Sequence, residues 1–497
     1  MTPAYFLGID NGGTMSKAAV FDAFGKELSV ASCRVNMLTP RPGWSDRNMD
    51  QLWHDTAVVI RQAIEKSGIR PEDIRGVACT GHGNGLYILD KNGKPLRNAI
   101  YSSDERAQSY IDQWLKNKVD EQVLPMTAQS LWSAQPAPLL AWMRDHEPDL
   151  FCNIGTVFVV KDFIRYCLTG EIRAEITDMS GTGLMNVVDG KYDNAVLEAY
   201  GLPEIAPLLP PLMESVEIGG YVTKEASTQT GLPEGIPVAG GMFDIDACAL
   251  SSGILNSGQF SLVAGTWGNN QYIAQKPLID KELFMTSRYT IPGWYLMLEG
   301  SPTSAGNLEW FLETFFENDR KEWGDNFYVH LSDLVSSVKP TDSQILFLPF
   351  LYGCNNGNLK GGFFGLDASH GKAELLRAVF EGVVFSHYQH IERLLNFREF
   401  PDVIRLTGGA ARSPVWCQLF ADCIGVPVEV PAGSELGSLG AAMAATIATG
   451  YYKNFIEAVN AMTSIEKRYE PNPEYTAVYR SKYAQYRGLI KKLKVKN

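Results

Sequence analysis

Near its midpoint, the 497-residue chain reads Val238-Ala239-Gly240-Gly241-Met242-Phe243-Asp244. The apolar start predicts a strand, and the two glycines let the backbone approach another group closely because glycine has no Cβ atom. Asp244 then opens an alanine-rich helical run. A carboxylate at such a strand-to-helix turn can accept a proton from a bound hydroxyl group. Asp is also a common helix cap, so this stretch alone leaves both roles open.

Length and composition indicate a globular protein with two large domains. A chain of 497 residues is too long for one hydrophobic core, and 45% hydrophobic with 20% charged residues is typical of globular proteins. We predict the domain boundary just after Asp244, which gives domains 1–247 and 248–497.

Charge and cysteine usage exclude several classes of protein. The net charge of −12 argues against a general nucleic-acid surface. The eight cysteines are scattered without a CxxC pair, which argues against a zinc site or a disulfide framework and suits a reducing compartment. The start of the chain lacks signal-peptide features, and no apolar run approaches the roughly 18 residues that span a bilayer. We therefore expect a cytoplasmic protein without nucleic-acid or membrane partners.

A glycine turn near the amino terminus is a candidate phosphate site. Tyr5–Ile9 is a predicted strand that ends in Asp10-Asn11-Gly12-Gly13-Thr14, and Ala18–Phe21 is the returning strand. In a P-loop the glycines lead into a helix, whereas here the turn itself would hold phosphate with its amides, and Lys17 is close in sequence. An ordinary tight hairpin is the alternative.

Two polar clusters follow predicted strands of the first half. Gly76–Thr80 runs into Gly81-His82-Gly83-Asn84-Gly85, and α/β proteins place ligands at such strand ends. His82 could instead satisfy local backbone groups. The second cluster is Ser102-Ser103-Asp104-Glu105-Arg106, where Asp104 could accept hydrogen bonds from a ligand.

The second half repeats the opening pattern. Strand Gln259–Ala264, turn Gly265-Thr266-Trp267-Gly268 and strand Asn270–Ala274 form another predicted hairpin, so the chain could hold two related lobes. Val403–Thr407 is a strand that ends in Gly408-Gly409-Ala410-Ala411-Arg412-Ser413, where the glycine pair would let a flat ring lie against the backbone. Gly437–Thr449 is a small-residue helix suited to close packing.

Two further features have structural interpretations. His387 and His390 lie one helical turn apart but lack a third ligand at useful spacing, so core or surface histidines are favoured over a metal site. The apolar residues of the tail from Tyr479 keep helical period, which predicts a packed terminal helix with a basic solvated face.

With these motifs in order, the chain resembles the FGGY family of carbohydrate kinases over its whole length. Gly361-Gly-Phe-Phe-Gly-Leu366, Glu374-Leu375 and Ala378-Val379-Phe380-Glu381 fit the family's second signature at every constrained position. The first signature region, Ala134 to His146, departs from the pattern at Ala134 and Leu139. That segment borders the sugar pocket in the family, so the departures concern the substrate.

The resemblance implies an α/β fold of two actin-like (ribonuclease H-like) domains, with sugar and ATP in the cleft between them. It assigns Asp10 to Mg²⁺ and Asp244 to the role of catalytic base, which also contacts the substrate. The nucleotide-binding residues that it implies are Gly13, Thr14, Lys17, Gly265, Thr266, Gly409 and Ser413. It places Gly83 and Asn84 at the sugar, and the polar clusters add His82 and Asp104 as candidates.

The expected activity is transfer of the γ-phosphate of ATP to a hydroxyl of a small sugar. Stretches Ser102–Asp104, Glu299–Trp310 and Phe347–Gly353 look most similar to family members that phosphorylate L-xylulose, which implies a pentulose. The expected partners are a small sugar and ATP with Mg²⁺, and a homodimer stays open. The alternatives are a polyol kinase of the erythritol or glycerol type, an actin-like ATP-driven switch, and a non-catalytic sugar sensor.

Overall fold

A computed structural model of the chain describes residues 4–265, 267–353 and 359–494. The chain divides into two compact units. The first unit comprises Met1–Leu255, Ala274–Met297 and Gly433–Ser464, and the second comprises Asn256–Ile273, Leu298–Ala432 and Ile465–Asn497. The sequence expectation of two contiguous domains did not anticipate the two later segments that return to the first unit.

The first unit is built on a mixed sheet. Its strands follow the spatial order Ile218–Tyr221, Pro237–Ala239, Ile74–Gly81, Tyr5–Asn11, Met15–Asp22 and Glu27–Arg34, and Met242–Phe243 also pairs with Ile74–Gly81. Tyr5–Asn11 runs antiparallel to Met15–Asp22 and parallel to Ile74–Gly81. The predicted amino-terminal hairpin is therefore confirmed, and the first strand lies in the middle of the sheet.

Shorter strands and twelve helices among the described residues complete the first unit. The shorter strands are Asp46–Arg47, Tyr87–Asp90, Ala99–Ile100, Ile154–Phe158, Ala174–Glu175, Met185–Asn186, Lys191–Tyr192, Leu212–Met213 and Met285–Arg288. The helices are Met49–Ser67, Gln108–Lys116, Val119–Thr127, Pro136–His146, Pro148–Phe151, Val160–Thr169, Ile176–Ser180, Asn194–Ala199, Lys224–Thr230, Asp244–Ser251, Leu436–Ala448 and Phe455–Met462. Two 3₁₀ turns span Pro71–Asp73 and Pro203–Leu208.

Helix Leu436–Ala448 packs closely on the central strand of the first unit, as its small residues predict. A Cβ atom on Gly8 would lie 1.8 Å from the carbonyl oxygen of Ser438. On another side of the helix, a Cβ atom on Gly440 would lie 2.4 Å from the carbonyl oxygen of Ala247. Glycine is thus required at both positions, because any side chain would push the helix off the strand or off its helical neighbour.

The second unit repeats the arrangement of a hairpin beside a parallel strand. Gln259–Ala264 runs antiparallel to Gly268–Ala274 and parallel to Val403–Thr407. Val428–Pro431 and Ile465–Tyr469 extend the sheet beyond Val403–Thr407. The predicted second hairpin is therefore confirmed within the described residues, and Thr266 in its turn lies outside them.

The remaining elements of the second unit are mainly helical. Strand Tyr295–Ser301 crosses from one unit to the other, and Leu346–Leu348 pairs with Gly362–Phe364. The helices are Gly306–Phe315, Glu317–Trp323, Phe327–Ser337, Lys372–Leu395, Pro414–Ile424 and Pro473–Lys494, with 3₁₀ turns at Gly324–Asn326 and Gly409–Arg412. Tyr479, Tyr483, Tyr486 and Ile490 of the terminal helix are buried, as its period predicts.

The histidine pair of helix Lys372–Leu395 is internal, in agreement with the sequence interpretation. Nδ1 of His387 lies 2.9 Å from the Asn270 side-chain oxygen, and its Nε2 lies 2.7 Å from the Ser304 hydroxyl. His390 lies 3.0 Å from Glu299.

Among the helices of the described residues, none combines the length and apolar character that a membrane crossing requires.

Candidate active site

The carboxyl ends of three strands bring the acidic candidates of the first unit to one edge of its sheet. Asp10 is opposite Thr80 in the parallel register, and Thr80 is opposite Met242. Asp244 follows strand Met242–Phe243 directly as the first residue of helix Asp244–Ser251. This edge is where open α/β sheets place their ligands.

Asp244 is not the capping residue of its helix. The cap position is held by Phe243, which supplies no side-chain hydrogen bond, and the Asp244 carboxylate is half-buried. The turn before it needs glycine, because Gly241 has φ +77° and a Cβ atom there would lie 1.8 Å from the Cys79 carbonyl oxygen. Asp244 therefore does not hold the N-cap position, although its carboxylate accepts from the Ile245 N–H of the first turn and its charge favours the positive end of the helix.

Burial raises the pKa values of both carboxyl groups, and in each case a neighbouring carboxylate adds to the rise. Burial, then the negative charge of Asp10, raises the pKa of Asp244 to about 8, against a hydrogen bond from the Ile245 backbone. Burial raises the pKa of Asp10 to about 6, Lys17 opposes that rise, and Glu435 adds to it. Perturbed carboxyl groups at a strand edge are typical of functional sites.

The predicted first phosphate turn lies beside these carboxylates. Lys17 lies opposite Asp10 in the antiparallel register of the hairpin. Its Nζ forms an ion pair with Oε2 of Glu435 at 2.9 Å. Burial alone would lower the pKa of Lys17, but the ion pair with Glu435 outweighs it and the pKa rises. Gly13 is confined, since a Cβ atom there would lie 1.9 Å from the hydroxyl oxygen of Tyr101. Thr14 is exposed at the tip of the turn.

The predicted sugar loop packs directly on the segment that carries Asp244. A Cβ atom on Gly83 would lie 2.4 Å from the ring of Phe243 and 3.2 Å from Oδ1 of Asp178. Asn84 adopts φ +62° and is buried, and within the described residues its amide oxygen has no hydrogen-bond partner. A buried acceptor without a partner is costly, so this oxygen is ready for a ligand hydroxyl.

His82 and Asp104 are occupied by internal contacts. The ring nitrogens of His82 contact the Tyr87 hydroxyl at 3.0 Å and the Gly83 carbonyl oxygen at 3.2 Å, and burial lowers its pKa to about 3. The Asp104 carboxylate is fully buried and accepts hydrogen bonds from the Ser45 backbone and from Arg106. A ligand would have to break these bonds, so the placement favours structural roles for both.

Tyr101 is a site residue that the sequence reasoning missed. Its hydroxyl lies against Gly13, and its ring is 4.6 Å from the His82 ring, centroid to centroid. Burial, and further the charge of Asp244, raise its pKa. The signal was its position next to the polar cluster 102–106, but only the fold shows that the chain turns there toward the phosphate loop.

The second unit holds a cavity of about 620 Å³. Three of the predicted nucleotide residues, Gly265, Gly409 and Ser413, lie in its wall. The other lining residues are Ala305, Gly306, Leu308, Glu309, Tyr328, Val329, Leu331, Ser332, Phe380, Arg412, Pro414 and Trp416. Ser413 also caps helix Pro414–Ile424 by accepting from the Trp416 backbone N–H at 3.3 Å. The size and mixed lining suit a ring-containing small molecule.

The acidic edge of the first unit suits a shared magnesium ion better than a protein-caged one. In the part of the chain that the structure describes, no group of three or more His, Cys, Asp or Glu side chains is arranged to hold a metal ion. Mg²⁺ commonly takes one or two carboxylates and completes its shell with phosphate oxygens and water. Asp10, half-buried beside the phosphate turn, fits that mode.

Comparisons with known proteins identify the chain's relatives. Residues 5–251 match the N-terminal domain of the FGGY family of carbohydrate kinases, and residues 260–449 match its C-terminal domain. The "Probable L-xylulose kinase" of Pasteurella multocida (strain Pm70) is 39% identical over 99% of each chain. The "L-xylulose/3-keto-L-gulonate kinase" of Escherichia coli (strain K12) is also 39% identical, over 98% of this chain and 96% of that protein.

Solved structures agree in fold. The xylulose kinase from Rhodospirillum rubrum superposes with a TM-score of 0.88 at 28% identity, covering 98% of this chain and 99% of that one. A gluconate kinase from Lactobacillus acidophilus shares the fold, with a TM-score of 0.90 at 22% identity and coverage of 99% and 98%. The α/β fold and the kinase activity expected from the sequence are thus confirmed, with ATP as the phosphate donor that the family uses. The chain belongs to the FGGY family of carbohydrate kinases.

Proposed function

We propose that this carbohydrate kinase transfers the γ-phosphate of ATP to the terminal hydroxyl of a five-carbon ketose, with L-xylulose as the first choice. The observation that carries the proposal is the half-buried Asp244 carboxylate next to a loop that presents the unpartnered amide oxygen of Asn84. The two relatives at 39% identity support the choice of sugar, because both are named for L-xylulose.

Asp244 takes the proton of the sugar hydroxyl as the new P–O bond forms. An alcohol is a weak nucleophile at neutral pH, and a general base works best when its pKa is near the working pH. The pKa of Asp244, about 8, lies in that range. Because the charge of Asp10 is one cause of the rise, any cation bound at Asp10 would lower the pKa of Asp244 and so favour its ionised form.

Phosphoryl transfer depends on neutralising the charge of the phosphate groups more than on covalent catalysis by the protein. In the first unit, Lys17 and the backbone amides of Gly13 and Thr14 would bind the phosphates. Asp10 would hold Mg²⁺, and a bound Mg²⁺ would offset the negative charge on the transferred phosphoryl group. In the second unit, Gly409 and Ser413 would line the adenosine pocket. Gly265 and Thr266 complete the predicted nucleotide residues.

The charges around Asp244 bear on the choice between an uncharged sugar and a sugar acid. Asp10 raises the pKa of Asp244, and Asp244 is among the charges that raise the pKa of Asp178, so the three carboxyl groups share one acidic neighbourhood. The nearby cations Lys17 and Lys161 are already in ion pairs with Glu435 and Asp162. Arg47, whose charge acts on His82 and Tyr101, could still compensate a carboxylate on the substrate, so we rank a keto acid such as 3-keto-L-gulonate second to a free pentulose.

Substrate comparison tests the proposal. Purified enzyme with ATP and Mg²⁺ would be assayed for ADP release with L-xylulose, D-xylulose, L-ribulose, 3-keto-L-gulonate, erythritol and glycerol. We expect the highest kcat/KM for L-xylulose. A higher value for either polyol would overturn the substrate class, in line with the departures at Ala134 and Leu139, and a higher value for the keto acid would overturn the electrostatic argument.

A further inference from the structure

We propose that Glu175 and Thr177 form a positioning device that fixes the backbone immediately before Asp244. The Phe243 N–H donates to the Thr177 hydroxyl oxygen at 3.0 Å, and that hydroxyl donates to Oε2 of Glu175 at 2.8 Å. Both polar residues are fully buried. The inference rests on the proposed function, since it assigns Thr177 a role through the catalytic base and no contact with substrate.

The direction of the hydrogen bonds is determined by the donors available. A threonine hydroxyl has one proton, and the Glu175 carboxylate can only accept it, so the lone pairs of the hydroxyl are left for the Phe243 N–H. Bonds with an ionised partner are the stronger kind, and burial strengthens them further. The Thr177 hydroxyl is therefore held in one orientation, and it holds the amide of the residue before Asp244.

Glu175 is itself fixed from several sides. Its Oε1 accepts from the Thr177 backbone at 3.0 Å and from the Ser215 hydroxyl at 2.8 Å. Its Oε2 lies 3.3 Å from the Lys161 ammonium. Ser215 also touches the glycine turn, because its carbonyl oxygen accepts from the Gly241 N–H at 3.1 Å. The same carboxylate thus supports both the turn and the strand that lead to Asp244.

A second threonine holds the opposite side of this short strand. The Thr80 hydroxyl donates to the Met242 carbonyl oxygen at 2.8 Å. Strand Met242–Phe243 has only two residues, so its ladder bonds alone define its position weakly. Because Asp244 follows at once, a shift of the Phe243 amide becomes a shift of the base relative to the sugar hydroxyl. A misplacement of about 1 Å can cost roughly a hundredfold in rate.

The first test is Thr177→Val, which keeps the volume and removes the hydroxyl. We expect kcat to fall by roughly ten- to a hundredfold, while the KM for sugar and the KM for ATP stay within about twofold. Thr177→Ser keeps the hydroxyl and should restore most of the rate. The matched control is Thr182→Val, because Thr182 is equally buried and the hydrogen bonds of its hydroxyl, to Met179 and from the Leu184 N–H, stay within its own segment.

A double-mutant cycle with Asp244→Asn separates positioning from general damage. If Thr177 acts through the base, Thr177→Val should lower kcat by less than about twofold once Asp244 is Asn, because the group it positions is gone. An equal loss of rate in both backgrounds, or no loss from Thr177→Val alone, would overturn the inference. Should Thr177→Val not fold, Thr177→Cys replaces it, and we again expect a lower kcat with nearly unchanged KM values.

The cycle also distinguishes this inference from the proposed function. Near-normal turnover by Asp244→Asn would remove the base assignment and the positioning role together. A large loss from Asp244→Asn with normal turnover by Thr177→Val would leave the base assignment standing and contradict the positioning role alone.

Discussion

The Oδ2 atom of Asp10 lies 2.5 Å from the point that a Cβ atom on Gly437 would occupy. Gly437 is the second residue of helix Leu436–Ala448, so the carboxylate rests against the amino-terminal turn of that helix. A helix amino terminus stabilises negative charge, which helps Asp10 to remain a carboxylate beside Glu435. The contact ties the predicted metal ligand to a segment more than 400 residues away in sequence.

Gly437→Ala should therefore impair the enzyme although alanine favours helices. The added methyl group would displace the Asp10 carboxylate, so we expect the Mg²⁺ concentration for half-maximal rate to rise severalfold, with sugar affinity unchanged. Gly488→Ala is the matched control, because Gly488 is also helical and has open space around it. The control should keep full activity and gain about 0.5–1 kcal/mol of stability. Equal kinetics for the two variants would contradict the contact.

Asp10→Asn should stabilise the fold at neutral and alkaline pH. Burial is the main cause that raises the folded pKa of Asp10 from 3.8 to about 6, so the ionised carboxylate costs folding free energy. The cost is absent below the unfolded pKa and is complete above the folded pKa. We expect Asp10→Asn to gain on the order of 1–2 kcal/mol at pH 8 and almost nothing at about pH 3. Denaturant unfolding at both pH values measures the free energy of unfolding. A gain in stability that is independent of pH would show that burial of the ionised Asp10 carboxylate is not its cause.

Asn84→Gly should weaken discrimination between the ketose and its deoxy analogue. Glycine accommodates the positive φ of this position, so the substitution removes only the side-chain amide. A site that is built to bond a hydroxyl penalises an analogue without it, and one such bond is worth roughly 1–2 kcal/mol. The ratio of the two kcat/KM values should shrink by about five- to thirtyfold. An unchanged ratio would place Asn84 away from the sugar.

Ser332→Trp should raise the KM for ATP and leave the KM for sugar unchanged. Ser332 lines the cavity of the second unit, and the indole would occupy space that the nucleotide needs. Ser336→Trp is the control, since Ser336 is exposed on the same helix and is not part of the cavity wall. We expect at least a tenfold difference in KM for ATP between the two variants. No difference would mean that ATP binds elsewhere.

Local sequence patterns predicted the parts of the fold that depend on neighbouring residues. The two hairpins, the glycine turn before Asp244 and the buried face of the terminal helix all follow from the spacing of apolar residues and glycines. The start of helix Met49–Ser67 is harder to predict, because Asp50 is as suitable a capping residue as Asn48, and the structure shows that the Asn48 side chain accepts from the Gln51 N–H.

Contacts between distant segments were beyond the same reasoning. Asp104 resembles a free acid in sequence, but Arg106 and the Ser45 backbone occupy it. The packing of Tyr101 on Gly13, and the bond from Phe243 to Thr177, join residues that are 88 and 66 positions apart. Such pairs depend on how sheet and helices assemble, which no local period encodes.

Turnover and sugar binding by Asp244→Asn provide the most direct test of the central claim that Asp244 is the base of a pentulose kinase. Calorimetry with L-xylulose and ADP-release kinetics would be measured on the same preparation. We expect wild-type-like sugar binding with kcat lower by about two to four orders of magnitude, the range for loss of a general base. Near-normal kcat with L-xylulose would contradict the assignment of Asp244.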